Sequence, residues 1–125
     1  MQYDEFLSQV NDAANLGTTD RAARVTTTVL EVLGQRLSAG EADDLAAQLP
    51  TELKTPLDRH TGDAEAFDVD DFLRRIADQE GQGTSPEHAR VYARAVLTTV
   101  ARTVSAGELD NLRSQLPAGY SALMQ

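Results

Sequence analysis

The sequence predicts an all-α fold, a compact helical bundle of two tandem three-helix repeats related by an approximate internal two-fold. Three observations predict it. A shift of 67 positions lays Ser38-Ala39-Gly40-Glu41 on Ser105-Ala106-Gly107-Glu108. The same shift lays Asp43, Leu45, Gln48, Leu49 and Pro50 on Asp110, Leu112, Gln115, Leu116 and Pro117, giving nine identities in thirteen positions. Apolar residues recur at helical spacing through most of the chain. Residues that start and stop helices fall at the ends of those periodic stretches. The 125 residues read as a single domain, with repeats over about 1–57 and 67–124.

In the first helix of each repeat, Phe6, Leu7 and Val10, or Phe72, Leu73 and Ile76, share a face. Asp68 is placed to cap the second copy, with Phe67 as a hydrophobic staple on Phe72, whereas the first copy has Gln2 at the equivalent place and no good cap. The second helix is expected over about Thr19–Leu37 and again over Pro86–Val104, where Ser85 before Pro86 marks the start. Along that copy Ala89, Tyr92, Ala93, Val96, Leu97, Val100 and Val104 fall on one side, and Arg90, Arg94, Thr98 and Arg102 on the other. The run Val25-Thr26-Thr27-Thr28-Val29 favours a strand by propensity, but apolar periodicity over the whole segment decides for a helix. The third helix opens on Ser38-x-x-Glu41 or Ser105-x-x-Glu108, the spacing of a capping box, and closes at Leu49-Pro50 or Leu116-Pro117. A short apolar element follows each proline, and Leu45, Leu49, Leu112 and Leu116 are expected to meet in a shared core. The polar stretch Asp58–Ala66 is the expected linker.

Composition narrows the function. Twenty acids face eleven bases, ten of them Arg and one Lys54, for a net charge of −9, which argues against general nucleic-acid binding. Without cysteine there is no disulfide, thiol nucleophile or Cys-ligated zinc, and His60 and His88, both expected to be exposed, offer little imidazole chemistry. The beginning MQYDEF lacks the basic region of a signal peptide and no apolar stretch reaches membrane-span length, so a soluble, cytoplasmic protein is expected. Twelve Asp against eight Glu, with one Lys, resembles the composition of proteins from a salt-rich cytosol.

Two groups of residues are candidates for chemistry. Asp63, Glu65, Asp68, Asp70 and Asp71, with His60 upstream, are the candidate ligands for a hard divalent cation. Their spacing lacks the ladder and central glycine of an EF-hand loop, and helix capping by Asp68 with Asp70 and Asp71 in the first turn accounts for them without a metal. Arg90, Arg94 and Arg102 make a locally basic helix face, the candidate partner-binding surface; solvated pairing with neighbouring acids is the plainer account. Tyr92 and Tyr120 are expected in or at the edge of the core, and a capping role explains the Ser38 and Ser105 hydroxyls. No catalytic or cofactor-binding residue is assigned.

The pattern from Asp4-x-Phe6-Leu7 through Leu37-Ser38-Ala39-Gly40-Glu41 to Gln48-Leu49-Pro50, then Phe67-Asp68-x-Asp70-Asp71-Phe72-Leu73 and Gly107-Glu108-Leu109 to Gln115-Leu116-Pro117, resembles the prokaryotic family known as domain of unknown function 2267. The acidic, Lys-poor composition is similar to that of its haloarchaeal members. The resemblance implies a small helical cytoplasmic protein and brings no activity, cofactor or catalytic residue. The function expected is a non-enzymatic protein-interaction or self-association module with an unknown protein partner or a second copy. The alternatives are a metal-dependent enzyme on Asp63 to Asp71 and a nucleic-acid-associated regulator using the arginines.

Overall fold

In the computed structural model, which describes residues 1–60 and 62–125, the helices begin where short polar side chains can take up free backbone amides. Helix α1 (Tyr3–Ala14) is an exception: Gln2 makes no side-chain cap, as its residue type predicts. Thr18 accepts from the Arg21 amide at 3.1 Å to start α2 (Thr19–Arg36). Ser38 starts α3 (Ala39–Gln48). After Pro50 a 3-10 turn (Thr51–Leu53) runs into α4 (Lys54–Asp58). Asp68 accepts from the Asp71 amide at 2.9 Å and opens α5 (Val69–Glu80); Ser85, followed by Pro86, opens α6 (Pro86–Thr103). Ser105 starts α7 (Ala106–Ser114), and after Pro117 the chain ends in 3-10 structure (Ala118–Met124). Among the described residues there is no strand, so the Val- and Thr-rich middle of α2 obeys its periodicity.

The two long helices organise the packing. Helix α2 touches α1, α4, α5 and α6, while α6 touches α1, α2, α5 and the C-terminal 3-10 segment; α3 meets α4 and α7. Phe6, Leu30, Leu33, Leu45, Phe72, Leu97, Leu112 and Tyr120 are fully buried in one continuous core, which also holds Leu49 and Leu116. Tyr92 is buried too, so both tyrosines belong to the core as expected. At Gly34 the α2 backbone lies so close to α4 that a Cβ would run into the Leu57 carbonyl oxygen; 67 positions on, the chain has Ala101.

The expected linker is tied to the bundle at several points. The Glu65 amide donates to the Gln35 carbonyl at 2.8 Å, and Arg36 Nε donates to the Phe67 carbonyl at 3.0 Å. The buried Tyr120 hydroxyl donates to the carbonyls of Phe67 and Asp68 at 3.0 and 3.1 Å. Thr61, inside that linker, lies outside the described residues. Among the described residues no helix is long and apolar enough to cross a membrane.

Candidate functional site

The most unusual chemistry lies where α3 and α7 begin. The Ser38 and Ser105 hydroxyls accept from the amides of Glu41 and Glu108, each at 3.2 Å, as a capping box requires. The other half of the box is not made. Instead of the Glu41 carboxylate, Gln115 Oε1 accepts from the Ser38 amide at 3.1 Å, and Gln48 Oε1 accepts from the Ser105 amide at 2.7 Å. Gln115 Nε2 also donates to the Ser38 hydroxyl at 3.1 Å. Each glutamine sits at the end of one helix and caps the start of the other, so Glu41 and Glu108 are released from the local role their spacing predicts.

The released carboxyls turn inward. Glu41 and Glu108 are only 5% and 6% exposed, and the Oε1 atom of each has no hydrogen-bond partner among the described residues. With the exposed Asp44 they form a group whose ligand oxygens all lie within 4.8 Å of one another. Burial, then the hydrogen bond and charge of Glu108, then the charge of Asp44, push the Glu41 carboxyl from 4.5 up to about 8. The position of both acids in a helix's first turn favours ionisation, so desolvation and mutual repulsion outweigh the helix ends at Glu41. The arrangement can hold a proton between two carboxyls or a cation among three.

The second feature is the outer face of α6. Arg90, Arg94 and Arg102 are exposed, and among the described residues none of them enters an ion pair. The expected pairing with neighbouring acids is therefore not what the structure shows. Beside the ridge, Val91 is 46% exposed, an uncommon state for a large apolar side chain in this protein. Val91, Arg94, Thr98 and Arg102 line an open groove that Ala13 of α1 and the terminal Gln125 complete.

The acids of the Asp63–Asp71 segment are dispersed by local partners. Asp68 caps α5, Asp71 pairs with Arg74 at 2.6 Å, and Glu65 pairs with Arg75 at 3.1 Å. Asp63 and Asp70 are exposed, and no three of the five come together as a ligand group among the described residues. His60 is half-buried rather than exposed, its Nε2 2.9 Å from the Asp63 carbonyl oxygen and 3.9 Å from Glu65. His88 is exposed as expected, its ring stacked 6.4 Å from that of Tyr92. Sequence reasoning missed Glu41, Asp44 and Glu108 as a group; the signal available was the pair of repeated Glu-to-Gln spacings.

An all-helical bundle with a carboxyl pair buried between two helix starts and an arginine ridge on another face is a small all-α protein. The model of a family described as an uncharacterised conserved protein, DUF2267, matches residues 3–123, and the chain belongs to that family. A comparison with curated proteins finds no match.

Proposed function

We propose that the chain is a non-enzymatic interaction module whose docking face is the arginine ridge of α6 and whose partner is a carboxylate-rich segment of another protein. The observation that carries this reading is that Arg90, Arg94 and Arg102 stand exposed and unpaired in a protein of net charge −9, among the described residues. Guanidinium groups bind carboxylates in bidentate fashion, and the exposed Val91 adds apolar contact beside them. A nucleic-acid backbone is the poorer fit, because the rest of the surface repels a long polyanion and the ridge offers no stacking ring. A fluorescent oligoglutamate peptide should bind in dilute buffer and be released by salt, with Arg94→Glu together with Arg102→Glu weakening binding by about tenfold or more. Equal binding by that variant would remove the ridge from the interface. Tighter binding of a DNA duplex would turn the reading toward nucleic acid, and concentration-dependent sedimentation abolished by the same variant would make a second copy the partner.

The same proposal takes α1–α3 and α5–α7 as two copies of one unit about an approximate two-fold within a single domain. Helix lengths of 12, 18 and 10 residues followed by 12, 18 and 9 support it, as do the exchanged glutamine caps. The proposed setting is a saline cytosol, supported by the excess of Asp over Glu and the single Lys. There the acids are screened, since the Debye length falls from ~30 Å in dilute buffer to ~3 Å at molar salt. The melting temperature should accordingly rise from dilute buffer to molar KCl; a flat response would leave the acidity as a solubility feature and remove the saline setting.

A further inference from the structure

We propose that Glu41, Asp44 and Glu108 bind a hard divalent cation, calcium in the first place, at the junction of α3 and α7. Three observations on different residues converge on it. The crossed glutamines take the Ser38 and Ser105 amides, which removes the capping role that would otherwise occupy both glutamates. The side chains of Glu41 and Glu108 are then more than nine-tenths buried with an orphaned carboxylate oxygen each, a costly arrangement unless a positive species sits between them. Asp44, one turn along α3 from Glu41, supplies a third carboxylate from the solvent side, leaving the outer coordination positions open to water.

The donor set and its openness to water select among cations. Calcium takes oxygens at about 2.3–2.6 Å, so ligands on opposite sides of it lie roughly 5 Å apart. Carboxylate oxygens within 4.8 Å of one another can therefore surround calcium with neither helix moving. Magnesium, with oxygens at about 2.0–2.1 Å, demands a stricter octahedron and gives up its waters reluctantly, which favours calcium at a site of three protein carboxylates. Nitrogen and sulfur ligands are absent from the group, which disfavours zinc and copper. The site differs from the earlier acidic segment in the feature that matters: its acids have no arginine or helix cap to satisfy them.

The test is a calcium titration of the full chain after exhaustive chelation, in alkaline buffer, with KCl of matched ionic strength as the control for screening. Calorimetry should show one saturable site in about the submillimolar to millimolar range, and the melting temperature should rise along the same curve. Asp44→Asn, an exposed change that leaves the core untouched, should weaken binding by about tenfold or more. Glu41→Gln with Glu108→Gln should abolish it while the chain stays helical in chelator. A response no greater than that of matched KCl, or one that survives unchanged in both variants, overturns the site and assigns the effect to the acidic surface at large. Magnesium binding as tightly as calcium overturns the choice of calcium.

Discussion

Phe72→Ala is expected to lower the unfolding free energy by about 3–5 kcal/mol, a large share of the ~5–15 kcal/mol that holds a small domain folded. The Phe72 ring is fully buried on α5, tilted against that of Tyr120 with centroids 5.1 Å apart. Removing it leaves a hole where α5, α6 and the C-terminal 3-10 segment converge, and the surrounding helices can collapse into it only in part. A urea melt should show a lower midpoint at unchanged slope. Tyr120→Phe is the informative companion: it keeps the ring but deletes the hydroxyl that donates to the Phe67 and Asp68 carbonyls, at a cost of about 1–2 kcal/mol. Burial pushes that hydroxyl up to about 12, so it remains a donor at any ordinary pH. A Phe72→Ala loss below ~1 kcal/mol would place the ring outside the core.

The second large effect is on pH. Folded Glu41 keeps its proton to about 8, whereas the unfolded chain releases it near 4.5. Between those values the folded state binds more protons, so rising pH favours unfolding. The contribution is complete below the unfolded value and lost as pH climbs through the folded one, with a slope of up to about 1.4 kcal/mol per pH unit. In chelator, the stability of the parent chain should therefore fall across the range from 4.5 to about 8. Glu41→Gln, which imitates the protonated acid, should flatten the profile and be the more stable protein at its alkaline end. Superposable profiles for the two proteins would show that Glu41 does not titrate in this range.

The helices were legible because their signals are local. Thr18, Ser38, Asp68, Ser85 and Ser105 each cap the helix they precede, and the apolar faces of α1, α2, α5 and α6 enter the core. The acid pair was not legible, because Ser-x-x-Glu reads as a closed local motif. Gln48 and Gln115 compete for the same amides from far along the chain, and a spacing rule contains no such competitor. The arginine face was visible as periodicity, but whether an acid answers each guanidinium depends on which helix lies alongside. The Asp63–Asp71 segment drew notice by density alone, and density says nothing of the Arg74 and Arg75 side chains that neutralise part of it.

The crossed glutamines also bear on the order in which the chain folds. The amides of Ser38 and Ser105 are held by residues 77 and 57 positions away in sequence. The Ser38 and Ser105 hydroxyls cap each first turn locally, but the two serine amides wait for the distant parts of the chain to find each other. Loop closure over such separations is slow compared with helix formation. The glutamine contacts are thus late structures, formed in the step that brings α3 and α7 together. Each contact lets the end of one helix hold the start of the other, which couples α3 and α7 across the sequence.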